Sequence, residues 1–229
     1  MTPEMAFECL LVTHDPAVFR VMNGILQDFS ITTKICSNAS KAVSELAGGG
    51  TDLIVVDLEA SDSSEFLGTI GALARQKPTV LAVADADCVV PGVHVVLRKP
   101  VTQESGLASL KAAYSKMVRD YRKHTRFAVM RQVVATDEGH RRFNITVTNV
   151  GRGGIGLTSV ETVRVGGTLS FAIRLPELQN EIFIQARVLW TRPYGAAGCE
   201  FVHVAPFDLQ LLHAWLENRY RIKKPLIPV

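Results

Sequence analysis

Near residue 119 the spacing of apolar residues changes period, which limits the chain to two differently built halves. Before it, short apolar runs alternate with stretches whose hydrophobic residues recur every three or four positions, the pattern of a parallel sheet with helices on both faces. After it the alternation is single: Phe143, Ile145 and Val147 are interleaved with Asn144, Thr146 and Thr148, as in half-buried antiparallel strands. With 229 residues and 47% hydrophobic content, the chain can give each half a core. The expected domains are 1–118 and 119–229.

In the first half, apolar runs at 7–12, 31–36, 52–58, 79–84 and 93–99 are expected strands. Asp15-Pro16 reads as a cap and first turn for a helix that buries Val18, Val21, Met22, Ile25, Leu26 and Phe29. A helix at 39–46 stops at Gly48-Gly49-Gly50, and Ser63 or Ser64 can cap another that carries Phe66, Leu67, Ile70 and Leu73. Residues 85–92 leave little room for a full helix. A long helix opens at Thr102, with Leu107, Leu110, Tyr114, Met117 and Tyr121 on its buried side.

The second half is expected to form a barrel of about six strands, with runs at 127–135, 142–150, 168–175, 181–192 and 196–204 beside the glycine-rich segment after Asn149. Ile182, Ile184, Ala186, Val188 and Trp190 should point one way. Pro206 opens a closing helix with Phe207, Leu211, Ala214 and Trp215 as its apolar stripe, and the tail from Lys223 should be loose.

Composition narrows the function. No apolar run reaches membrane-spanning length, and the first residues carry acids where a signal peptide needs basic residues, so a cytoplasmic protein without a membrane partner is expected. Cys9, Cys36, Cys88 and Cys199 are scattered among apolar neighbours and read as buried free thiols. His203 and His213 do not cluster, so no metal is expected. Residues 1–117 hold 9 Lys+Arg against 13 Asp+Glu (net −4), and residues 118–229 hold 16 against 9 (net +7). An anionic ligand therefore belongs in the second half. Aromatic residues do not interleave with the basic ones, which argues against nucleic acid.

Two segments of that half stand out. Arg122 and Arg126 flank the end of the long helix, and Asn149 opens a stretch containing Gly151, Arg152, Gly153, Gly154 and Gly156. Guanidinium forks suit phosphates and the N7/O6 edge of guanine, and closely spaced glycines let backbone approach a ligand. A dinucleotide fingerprint fails, because strand-like residues and not a helix follow the glycines. Glycines in a hairpin or bulge need no ligand, and arginines at a helix C-terminus interact favourably with its dipole.

Arg122-x-x-x-Arg126 followed by Asn149-x-Gly151-x-x-Gly154, together with Gly198-Cys199-Glu200-Phe201 before a last helix, resembles the PilZ domain family over about residues 119–220. Its members are small β-barrels that bind cyclic di-GMP. The resemblance implies that Arg122 and Arg126 grip phosphate and guanine, that Asn149 bonds a guanine edge and that Gly151 and Gly154 give backbone access. Lys123 and Arg152 would add outer charge. Gly151 stands where the family has serine, so a hydroxyl donor is missing.

Residues 6–118 resemble the response-regulator receiver family: Asp57 matches the phosphoacceptor, and Lys99-Pro100 the lysine and following proline, often cis in the family. Thr13 and His14 stand where that family has two acids, and Val83 and Ala84 where it has Ser or Thr. Phosphoryl transfer to a carboxylate needs a divalent cation, and Asp57 has lost most of the carboxylates that would share it. Asp15 is better placed as a helix cap than as a replacement acid. The half reads as a pseudo-receiver, with Asp57 and Lys99 kept as an ion pair.

The expected fold is thus a flavodoxin-like α/β domain followed by a six-stranded antiparallel barrel with a C-terminal helix. The resemblance implies a non-enzymatic cyclic di-GMP effector, in which nucleotide clamped between the arginine linker and the Asn149 loop reorients the pseudo-receiver toward a protein partner. The long helix and the receiver-like sheet offer faces for a homodimer. The alternatives are a PilZ-like interaction module that has lost the nucleotide, or a regulator phosphorylated at Asp57.

Overall fold

The computed structural model describes residues 4–59, 63–73, 78–85 and 90–228. The chain divides into two compact units, Met1–Arg119 with Arg221–Val229, and Asp120–Tyr220. The side chains of Ser63, Ser64 and Leu73, and all of Cys88, lie outside the described part.

The first unit is a five-stranded parallel sheet in the order β2-β1-β3-β4-β5, formed by β1 (Glu8–Val12), β2 (Thr32–Cys36), β3 (Leu53–Asp57), β4 (Thr79–Ala84) and β5 (Val95–Arg98). That order is the flavodoxin-like doubly wound topology. Every residue of β3 and β4 is buried, which is why both read as unbroken apolar runs. Helices α1 (Pro16–Asp28), α2 (Ala39–Ala47), α3 (Ser63–Leu73) and α4 (Gln103–His124) alternate with the strands. Asp15 caps α1 through Ala17 N at 2.7 Å, and Asn38 caps α2 through Lys41 N at 3.0 Å. Edge strand β5 is shorter than the run at 93–99. Among the described residues no helix lies between β4 and β5. The helix face that covers the sheet from α4 is Gly106, Leu110, Ala113, Tyr114 and Met117. Gly106 leaves room for Ile25, whose Cδ1 would lie 2.6 Å from a Cβ there.

The tail is not loose. Met5 N donates to Arg221 O at 2.8 Å, Lys223 N to Met5 O at 2.9 Å and Leu226 N to Asp28 O at 2.7 Å, so residues 221–226 are tied to the first unit by backbone bonds.

The second unit is a closed six-stranded barrel in the order β10-β11-β8-β7-β6-β9. Its strands are β6 (Arg126–Asp137), β7 (Arg142–Gly151), β8 (Gly154–Ser159), β9 (Thr168–Ile173), β10 (Ile182–Thr191) and β11 (Ala196–Val204), and α5 (Pro206–Glu217) follows. Phe143, Ile145, Val147 and Val150 fill the interior with Leu157, Phe171, Ile184 and Val188, and α5 adds Leu212, Trp215 and Leu216.

Two apolar assignments change. Trp190 does not join Ile182, Ile184, Ala186 and Val188 inside, because the register shifts between Val188 and Trp190 and turns the indole outward across Gly198. On α5 the buried set is Leu212, Trp215 and Leu216, while Phe207 and Ala214 are exposed. Among the described residues no helix is long and apolar enough to cross a membrane.

Gly154 is buried where β8 passes β11, and an added Cβ would lie 2.1 Å from Cys199 O. Strand backbone cannot yield as a side chain can, so Gly154→Ala should lower stability by about 1–3 kcal/mol, measured as a reduced denaturation midpoint. Cys9, Cys36 and Cys199 are buried free thiols, and burial raises all three pKa values, that of Cys199 to about 11. In a Cys88→Ser background, Ellman's reagent should react slowly with native protein at pH 8 and with all three thiols at once in guanidinium.

Candidate ligand-binding site

In the second unit, strand pairing brings the two motif segments together. Antiparallel register sets Arg126, first residue of β6, against Gly151, last residue of β7, and Ala128 against Asn149. Arg122 lies in the last turn of α4, and Arg152 and Gly153 form the tight turn from β7 to β8. Arg122, Arg126, Asn149, Gly151 and Arg152 therefore share one end of the barrel.

Their side chains are engaged. Arg126 Nη1 donates to Lys123 O at 3.1 Å, satisfying a terminal carbonyl of α4. Its guanidinium lies flat on Gly151, where a Cβ would meet Nη1 at 2.2 Å and Cδ at 2.4 Å. A serine at this position would force Arg126 to move. Asn149 Oδ1 accepts from Gly156 N at 3.1 Å, and its Nδ2 donates to Thr148 Oγ1 at 3.2 Å. The register shifts between Ala128 and Arg131 on β6 and between Val147 and Asn149 on β7, so both strands bulge beside the site. Gly154 is buried with no room for a Cβ beside Cys199 O, and Lys123 is exposed.

Glu217, at the end of α5, was not evident as a site residue. Its Oε2 lies 3.2 Å from Arg122 Nη2 and its Oε1 3.4 Å from Arg152 Nη1. These side chains are about 40% exposed (39%, 40% and 43%), so each pair is worth at most about 1 kcal/mol. Arg122 Nε is buried and has no hydrogen-bond partner among the described residues. Tyr220 Oη donates to Arg122 O at 2.8 Å, and the ring packs edge-on to Tyr121 and Phe127. Burial, then the charge of Glu217, raises the Tyr220 pKa. His213, one turn before Glu217, is held below its ordinary pKa first by burial and then by Arg152, with Glu217 opposing. The sequence clue to Glu217 is its place: an acid in the last turn of a helix faces unfavourable carbonyl dipoles and needs cations nearby.

In the first unit, Asp57 is 2% exposed, and its Oδ1 lies 3.0 Å from Lys99 Nζ. Thr13 Oγ1 donates to Asp57 Oδ2 at 3.1 Å, and Glu59 N donates to Oδ1 at 3.3 Å. Lys99 also bonds Glu59 and lies 3.9 Å from Asp15 Oδ2. Burial lowers the Lys99 pKa, but hydrogen bonds to Glu59 and Asp57 outweigh it and the net shift is upward. The Lys99–Pro100 peptide is cis. Among the described residues no group of three or more His, Cys, Asp or Glu is placed to hold a metal ion.

Residues 120–218 match the PilZ domain family. No curated protein matches the chain. Solved structures similar to it include the chemotaxis response regulator CheY4 of Vibrio cholerae, at 16% identity and a TM-score of 0.42 over 48% of this chain and 99% of that one. A signal receiver domain of an HD domain-containing protein from Pseudomonas fluorescens gives 18% identity and a TM-score of 0.46 over 52% and 95%. The Bacillus subtilis inhibitor of motility MotI/DgrA gives 21% and 0.35 over 43% and 50%. The closed barrel with its arginine and Asn149 segments on one end, and the family match over the same residues, agree: residues 120–218 form a PilZ domain, which follows a flavodoxin-like parallel α/β unit in the chain.

Proposed function

We propose that the chain is a cyclic di-GMP effector without catalysis of its own. The observation that carries this is the register of β6 and β7, which sets the arginine segment beside the Asn149 segment on one barrel end in a PilZ domain. Arg122, Arg126 and Arg152 supply guanidiniums for phosphates and for the N7/O6 edge of guanine, Asn149 supplies an amide for a base edge, and Lys123 adds charge at the rim. Arg126 and Asn149 must leave their present partners to do so. Those partners are uncharged, two backbone carbonyls for Arg126 and Gly156 N with Thr148 Oγ1 for Asn149, and a guanidinium gains more from a bond to an ionised phosphate than from a bond to a carbonyl. Because Arg122 and Arg126 belong to the linking segment, occupancy fixes the path of residues 122–126 and is passed to the receiver-like domain, which would present a surface to a protein partner.

One observation favours a rival. Arg126 and Asn149 are satisfied within the barrel, and Gly151 carries no hydroxyl, as expected of a PilZ domain that works through protein contacts alone. Calorimetric titration with cyclic di-GMP separates the two. Binding should be seen, and the double variant Arg122→Ala, Arg126→Ala should lose about 1–3 kcal/mol for each arginine. A flat trace with the native chain favours the rival.

Regulation through Asp57 is the less favoured alternative, because Lys99 already holds that carboxylate and the surroundings do not assemble a metal site among the described residues. Acetyl phosphate with Mg²⁺ should leave the intact mass unchanged, and an added phosphoryl group would reverse this assignment.

A further inference from the structure

We propose that Glu217 is a tethered competitor for the anion site, a carboxylate that occupies the arginines until a phosphodiester displaces it. The inference rests on the cyclic di-GMP reading above and adds a regulator to it.

Glu217 places one oxygen on each of two arginines from different elements: Oε2 is 3.2 Å from Arg122 Nη2, at the end of α4, and Oε1 is 3.4 Å from Arg152 Nη1, in the β7–β8 turn. The two non-bridging oxygens of a phosphodiester would span the same pair. The carboxylate is an imperfect occupant. On the side-on edge of a guanidinium, Nε and Nη2 can bond an acid together, as they do where Arg187 meets Glu200. Arg122 instead has its Nη2 near Glu217, while its Nε is buried without an acceptor among the described residues. A phosphate, with more acceptor oxygens, could serve both nitrogens.

Glu217 is also poorly placed for any other task. As the last residue of α5 it sits among carbonyl ends that repel a negative charge, and it is about 40% exposed, so leaving the arginines returns it to water at little cost. Tyr220 lies three residues farther on, and its hydroxyl holds Arg122 O at 2.8 Å. Release of Glu217 would therefore act on the same short segment that ties α5 to the end of α4.

The test is calorimetric titration of the full chain with cyclic di-GMP, comparing the native protein, Glu217→Gln and Glu177→Gln. Glu177 pairs with Arg219 at 3.0 Å, whereas Arg122 and Arg152 pair with Glu217, so its variant removes the same charge without freeing them. Glu217→Gln should bind roughly threefold to tenfold more tightly than native protein, and Glu177→Gln should be unchanged. Binding seen only with Glu217→Gln supports the inference most strongly. Equal or weaker binding by Glu217→Gln, with thermal unfolding showing it folded, overturns the inference while the nucleotide reading stands. Equal gains in both variants would mean that net charge and not occupation of the arginines is responsible, and would also overturn it. If none of the three proteins binds, the nucleotide reading fails and takes the inference with it.

Discussion

Backbone pairing between β6 and β7 begins at Arg126 and Gly151, so the residue that ends the linker and the residue that ends the first glycine step are neighbours whatever the ligand. Side chains on a strand alternate faces, and a slip of one residue would carry Arg126 to the other face and empty this end of the barrel. The register is held by what is buried further along β7, where Phe143, Ile145 and Val147 must all point inward. Interior packing thus positions the charged groups outside. The bulges adjust the outcome: past the shift between Val147 and Asn149, Asn149 faces Gly156 and uses its amide on that backbone. Gly151 follows the same logic, since without a Cβ the strand offers a flat bed on which the Arg126 guanidinium can turn back toward Lys123 O.

The parallel α/β unit handles a buried charge differently. A carboxylate only 2% exposed needs a counter-charge or a donor for each oxygen, and Asp57 has both, with Lys99 and Glu59 N on one oxygen and Thr13 Oγ1 on the other. Lys99 is drawn the more firmly because Glu59 binds it as well, and its raised pKa keeps the ammonium charged. A hydroxyl at Thr13 supplies a hydrogen bond where a further acid would supply repulsion. The buried carboxylate of Asp57 is thus compensated by one ammonium and two hydrogen-bond donors of the chain itself.

Most of this fold was legible because burial leaves a pattern. Unbroken apolar runs marked β3 and β4, single alternation marked β7, and Asp15-Pro16 marked the start of α1. The misread features leave no such pattern. A bulge between Val188 and Trp190 turns the indole outward, and extrapolating a period of two cannot foresee it. Helix α5 is apolar on neighbouring faces, so Phe207, Leu211, Ala214 and Trp215 made as regular a stripe as the set that is buried. Residues 221–226 are held through backbone bonds to Met5 and Asp28, which no side chain announces. At the site, residue types pointed to Arg122, Arg126 and Asn149. The partner Glu217 is far along the chain, and only folding brings it to Arg122 and Arg152.

The positive excess of the second half also means something narrower than a basic surface. Arg141 is held by Asp137 and Glu161, Arg174 by Glu181, Arg187 by Glu200, and Arg219 by Glu177, in pairs with at least one exposed member. Local pairing of this kind leaves a weak field at distance, screened further by salt, and it attracts a polyanion poorly. A compact dianion differs, because it needs only a few guanidiniums converging on one spot. At the end of the barrel Arg122 and Arg152 share a single carboxylate, and Arg126 has only carbonyl oxygens as acceptors among the described residues. Three guanidiniums against one carboxylate leave a local surplus of positive charge at this end, which the net charge of the half does not reveal.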